Sequence, residues 1–294
     1  MEQVRLTALM ERTVGSSSVT IGLIDGPVHV AHPAMDPTGI SSLGSSASCD
    51  RVNSVACVHG TFVAGILHAR RGGLAPAICP GCTLLVRSIF PEDDGRAFPS
   101  CEPAELALAI YECVRAGARV LNLSLGLLGS APTGERALVG ALDYAASRGV
   151  LVVAASGNQG SVGGSALTRH LAVLPVVAAD TGGRVIGVSN VSASIGRHGL
   201  AAPGEDVVSL SPDGGTRTFG GTSAASPFVA GTIALLWSLF PNLPAARIRH
   251  AVAQVTTRRT SIIPPVLDAQ AAWDALVQTP AARGARWYPT RSVV

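Results

Sequence analysis

The chain of 294 residues carries 22 arginines and no lysine against 19 acidic residues, a net charge of +3, with 47% hydrophobic and 14% charged residues. That composition excludes a disordered chain, and the arginines gather into no patch of the kind nucleic acid requires. The most apolar run, Ala224 to Phe240, is interrupted by Ser226, Pro227, Gly231, Thr232 and Ser238; it falls short of the roughly 20 apolar residues of a bilayer span and reads as a buried core helix.

Met1 to Thr13 sets Glu2, Arg5, Glu11 and Arg12 among apolar positions at helical spacing. This predicts a short amphipathic helix within an N-terminal segment 1–18, without the basic-then-apolar layout of a secretory signal, so a cytoplasmic setting is expected. Val19 to Ile24 predicts a buried strand ending at Asp25. Apolar residues at helical spacing from Thr61 to Ala69 put His59 at the start of a helix. Strands over Thr83 to Ile89, Arg119 to Leu125 and Val150 to Ala155 alternate with helices over Pro103 to Ala116 and Gly134 to Arg148, the second closed by Gly149. Such alternation marks an α/β chain whose parallel sheet is covered on both faces.

Farther along, Leu171 to Ala179 and Val185 to Asn190 read as strands, and Leu200 to Gly204 as a turn broken at Pro203. Val207 to Leu210 and Thr216 to Phe219 bracket Pro212-Asp213-Gly214-Gly215 as a hairpin leading to Ser223. Helices follow over Pro244 to Val255 and Asp268 to Leu276. No linker divides residues 19–279, and 280–294 reads as a loose tail.

Six cysteines leave three readings open: a four-thiolate zinc site built from Cys79-Pro80-Gly81-Cys82 with Cys49 and Cys57, disulfides near His59, or reduced core thiols that also take in Cys101 and Cys113. A free Cys57, two residues before His59, would make the protein sensitive to mercurials. Acidic residues cluster only at Glu92-Asp93-Asp94-Gly95, read as a solvated loop, so no calcium ligand set is evident and no cofactor is expected.

Three positions carry chemistry: Asp25 at a strand's end, His59 at a helix's start, and Ser223 at another helix's start, after Gly220-Gly221-Thr222. In an open parallel sheet, strand carboxyl ends and helix amino ends face one crevice. Serine, histidine and aspartate are what acyl transfer needs as nucleophile, base and orienter. Taken singly, Asp25 is an ordinary turn residue, His59 a satisfied helix-start histidine and Ser223 an N-cap. Their co-occurrence favours the catalytic reading.

Ile24-Asp25-Gly26, His59-Gly60-Thr61-Phe62-Val63-Ala64-Gly65 and Gly221-Thr222-Ser223-Ala224-Ala225-Ser226-Pro227 resemble the subtilisin-like serine proteases, over roughly Val19 to Leu276. The resemblance implies a three-layer subtilisin-like fold and Asp25, His59 and Ser223 as the triad. It also implies Asn158, in Ala154-Ala155-Ser156-Gly157-Asn158, as an oxyanion donor. Substrate contacts fall to Ser124, Leu125 and Gly126 as a peptide-pairing strand, to Ala154, Ala155, Ser156 and Gly157 as an S1 wall, and to Thr222. Gly220 and Gly221 are expected to admit the substrate.

Asp25-Gly26-Pro27-Val28 with His32-Pro33, together with Leu167-Thr168-Arg169-His170, Ser194-Ile195-Gly196-Arg197 and Gly199-Leu200-Ala201-Ala202-Pro203-Gly204, looks like the subtilases that mature ribosomal peptide natural products, the cyanobactin proteases among them. A precursor peptide is the implied substrate and partner. The 34 positions from Asp25 to His59 leave too little chain for the helical cap of macrocyclising relatives, so hydrolysis is expected. A general degradative subtilase and a catalytically idle peptide-binding relative are the alternatives.

Overall fold

The computed structural model describes residues 1–44, 49–92, 100–127, 132–253 and 260–278. The proposed tail and Asp93 to Gly95 lie outside them. After a single 3-10 turn at Glu2–Val4, α1 (Thr7–Arg12) follows a left-handed Arg5 at φ 49°, so the expected N-terminal helix is broken in two. Val4, Leu6 and Leu9 are fully buried, which makes this segment part of the core.

Strands β1 (Thr20–Asp25) and β2 (Ile40–Ser42) precede α2 (Val55–His68), and β3 (Thr83–Ser88) and β4 (Ser100–Cys101) precede α3 (Pro103–Arg115). Then come β5 (Val120–Leu123), β6 (Gly126–Leu127), α4 (Pro132–Ser147), β7 (Leu151–Ala155), α5 (Ala166–Arg169) and β8 (Val173–Ala179). The last third holds α6 (Ala193–His198), β9 (Leu200–Pro203), the hairpin β10 (Val207–Leu210) and β11 (Thr216–Phe219), α7 (Thr222–Leu239), α8 (Ala245–Ala253) and α9 (Ala269–Val277). Seven strands form one sheet in the order β2-β3-β1-β5-β7-β8-β9, and every pairing in it is parallel.

Because side chains alternate along a strand, each strand feeds two cores. Ile21, Leu23, Val153 and Val176 face the layer of α2, α7, α8 and α9, whereas Ile24, Leu121 and Val152 face α3 and α4. Gly22 lets α3 approach: a Cβ there would press on Leu121 and on Cys113 of the helix. Helix α7 crosses β5, β7, β8 and β9. It is the one described helix long and apolar enough to cross a membrane, yet Phe228 through Trp237 are buried inside the protein.

Three expectations are corrected. Leu200 to Pro203 is an edge strand, not a turn. Pro203 closes it, where a missing N–H costs the ladder little. Val185 to Asn190 is not a strand. It is a loop that packs on β8, with Ser189 Oγ accepting the Ala178 N–H of that strand at 3.0 Å. Helix α2 starts at Val55, capped by Ser54 Oγ, which accepts from Cys57 N at 3.1 Å. His59 therefore sits on its second turn.

Candidate active site

Strand β1 delivers Asp25 to the carboxyl edge of the sheet, where α2 presents His59. Asp25 Oδ1 lies 2.6 Å from His59 Nδ1 and also accepts the Gly26 N–H at 2.6 Å. This closeness requires bare backbone. A Cβ on Gly26 would overlap the Ala56 carbonyl, and one on Gly60 the Gly26 carbonyl. Asp25 is fully buried and the His59 side chain is 16% exposed. Burial pushes the His59 imidazolium down, but the charge and hydrogen bond of Asp25 outweigh it and hold the pKa above its ordinary 6.5. A carboxylate on Nδ1 keeps the proton there, leaving Nε2 as the basic nitrogen.

Ser223 is the second residue of α7, after Gly221 at φ 103°. In this conformation its Oγ donates to the Ser124 carbonyl at 3.3 Å and not to His59. Asn158 Oδ1 accepts the Thr222 N–H at 2.9 Å and the Thr222 hydroxyl at 3.0 Å, which leaves the Asn158 amide nitrogen, against Gly221, as a donor. Thr222, expected among the substrate contacts, is fully buried and orients Asn158. A side chain on Gly221 would press on Asn158, and one on Gly220, which is exposed, on the Gly204 carbonyl.

The other expected substrate residues lie at or just beyond the carboxyl ends of β5 and β7, which reach the start of α7 through Ser124 and Gly157. Ser124, Leu125, Ala154, Ala155 and Ser156 are all buried, so the wall offers main chain more than side chain. Gly126 pairs with Ser100 in the short β4–β6 ladder. Gly157 has φ 102° and touches Asn190, a residue the sequence did not single out. Asn190 Oδ1 accepts from the N–H groups of Gln159 (3.0 Å) and Ser161 (3.1 Å), and its own N–H donates to the Gly157 carbonyl at 2.9 Å. This one amide shapes the 157–161 loop. His32, part of the His32-Pro33 signature, is structural: Nδ1 accepts the Ala34 N–H, so Nε2 donates to the Gly215 carbonyl at 3.1 Å.

Cys57 is joined to Cys49 in a disulfide, so neither is a zinc thiolate, and mercurial sensitivity through a free Cys57 does not follow. Cys79, Cys82, Cys101 and Cys113 are free and buried; burial pushes the Cys101 and Cys113 thiols up to about 12. Glu92, read as part of a solvated loop, accepts from Asp50 N (3.0 Å), Arg51 N (3.0 Å) and Ser54 Oγ (2.9 Å), anchoring the entry to α2. Among the described residues the one group of three candidate metal ligands is Cys49, Cys57 and Glu92, and the disulfide occupies its sulfurs.

A parallel sheet between two helical layers, with a serine at a helix start and an aspartate-paired histidine, has the residues an acyl-transfer hydrolase needs. The peptidase S8 model, described as the subtilase family, matches residues 16–270, and the chain belongs to this family. It is a subtilisin-type serine endopeptidase. Subtilisin DY of Bacillus licheniformis is 30% identical over 246 residues, 82% of this chain and 84% of that protein. Subtilisin E of Bacillus subtilis (strain 168) is 28% identical over 262 residues, 87% of this chain but 65% of that protein. Among solved structures, a serine-to-alanine variant of the protease domain of PatA superposes with a TM-score of 0.79 at 30% identity, covering 89% of this chain and 96% of that one. The prenylagaramide maturation protease PagA does so at 0.79 and 28%, covering 92% and 98%.

Proposed function

We propose that Ser223 attacks a peptide carbonyl while His59 Nε2 takes its proton, and that Asp25 holds the imidazole and stabilises the imidazolium. The observation that carries this is the 2.6 Å contact between buried Asp25 and His59. To react, Ser223 Oγ turns from the Ser124 carbonyl to His59. The Asn158 amide and the Ser223 N–H then receive the oxyanion. His59 returns the proton to the leaving amine, and water resolves the acyl-enzyme. Substrate pairs with main chain at Ser124 to Gly126 and beside Ala154 to Gly157 by strand addition. No cofactor enters any step.

The substrate we infer is a precursor peptide from which a leader or flanking segment is removed. PagA is described as a maturation protease, and the likeness to it and to the PatA protease domain supports this reading. The test compares cleavage of a precursor peptide with digestion of unfolded casein by the same preparation. A kcat/KM for the precursor at least about tenfold higher supports a maturation enzyme; equal or better digestion of casein assigns a degradative one.

The raised His59 pKa sets a pH dependence with a definite sign. The protonated ring cannot act as base, so the acid limb of kcat/KM lies above pH 6.5, higher than an unperturbed histidine near 6.5 gives. Stability runs the other way. The contribution from the Asp25–His59⁺ pair is full below the unfolded pKa and is lost as pH rises through the folded one. Kinetics and thermal melting from pH 5 to 9 check both, and an acid limb at or below 6.5 contradicts the assignment.

A further inference from the structure

An α-helical carbonyl ordinarily accepts the N–H four residues on. For Ser223 that residue is Pro227, inside α7, and proline has no N–H to give. The nucleophile's own carbonyl therefore lies where the helix cannot bond it. In its place stands Ser124 Oγ, 3.0 Å from the Ser223 carbonyl oxygen. We propose that Ser124 is a positioning residue for the nucleophile, its hydroxyl supplying the hydrogen bond that Pro227 withholds. The inference rests on the reading of Ser223 as nucleophile.

Proton accounting fixes the direction of the network. A hydroxyl has one hydrogen to donate and two lone pairs to accept with. Asn122 Nδ2, which can only donate, reaches Ser124 Oγ at 2.8 Å, and Ser226 Oγ lies 2.7 Å away. With the Ser124 proton committed to the Ser223 carbonyl, Ser226 donates to Ser124. Two donors thus converge on one hydroxyl, polarising it toward the carbonyl. Ser124 is 1% exposed, and Asn122 and Ser226 are fully buried, so water replaces none of these bonds.

The attachment point matters. Ser124 is the first residue beyond β5, and β5 pairs in register with β1, where Leu123 stands opposite Ile24, the neighbour of Asp25. The hydroxyl thus references the start of α7 to the strand beside the one that carries the aspartate. The bond holds main chain only. When Ser223 Oγ swings from the Ser124 carbonyl toward His59, the hydroxyl bond to the Ser223 carbonyl is undisturbed.

The test is a double-substitution cycle at Ser124 and Pro227, read as the labelling rate by a fluorophosphonate probe, as kcat and KM on a peptide substrate, and as melting temperature. Ser124→Ala is expected to slow labelling and kcat about 10- to 100-fold, the scale of a small displacement of a reacting group, with KM unchanged because the Ser124 carbonyl remains. Ser124→Thr, which keeps the hydroxyl, retains the rate within a few-fold. Pro227→Ala returns an N–H to the helix, so Ser124→Ala combined with Pro227→Ala recovers most of what Ser124→Ala alone loses. A wild-type rate in Ser124→Ala, or equal loss in the single and double variants, overturns the proposal. If Ser124→Ala does not fold, recovery of fold and labelling in the double variant supports it, and failure of the double variant or of Ser124→Thr overturns it. Wild-type protein that the probe does not label overturns instead the assignment of Ser223.

Discussion

Ser223→Ala is expected to lower kcat about 10⁶-fold, the scale found in subtilisin itself, leaving only the residual rate that substrate binding and the oxyanion donors sustain. The fold should not notice. Ser223 is half-buried, its Oγ makes one hydrogen bond, to the Ser124 carbonyl, and alanine is a better helix residue than serine. The melting temperature should stay unchanged or rise slightly, while fluorophosphonate labelling, followed by intact mass, disappears. Ser124 and Ser226 are the nearby hydroxyls that could mislead such an experiment, and both are buried in the network beneath the nucleophile. Labelling that persists in Ser223→Ala would move the nucleophile to the serine that carries the label, whereas wild-type protein that takes no label would favour a peptide-binding relative.

Asp25→Asn should lower kcat about 10³- to 10⁴-fold, with a second signature that a general loss of fold does not give. Asparagine keeps the shape of the buried side chain but loses its charge. His59 feels two opposed effects, burial that disfavours the imidazolium and Asp25 that favours it. Without the carboxylate charge only burial remains strong, so the acid limb of the pH profile should fall from above 6.5 to below it. Steady-state kinetics across pH 5 to 9 read both quantities at once. A variant with reduced rate but an unmoved limb would show that Asp25 does not set the basicity of His59.

The central strands and main helices were legible because their signals are local: apolar runs bounded by glycine, with clear helical spacing between them. The positions of Asp25 and Ser223 were legible for a related reason, since the pattern marks the strand end and the helix start beside them, whereas His59 was placed at a helix start that lies four residues earlier. What escaped depends on distant partners. The strand at Leu200 to Pro203 was hidden by a proline that only an edge position tolerates, and the start of α2 by a serine cap anchored to Glu92. Asn190 looked like the end of a strand because its work, bonding Gly157, Gln159 and Ser161, spans some thirty positions. The link between Ser124 and Ser223 spans 99 positions, and only the fold shows which hydroxyl answers the proline.

Gly26 and Gly60 meet as bare backbone behind the aspartate and histidine. No side chain there can be trimmed or enlarged to retune their spacing, so natural or laboratory variation has nothing to work with on that side of the crevice. The opposite side is held by an asparagine amide and an exposed loop, which many sequences can replace. Divergence in such an enzyme is therefore lopsided: a library randomised across the whole site should return glycine at 26 and 60 in nearly every active clone, while new cleavage preferences arise around residues 157–161.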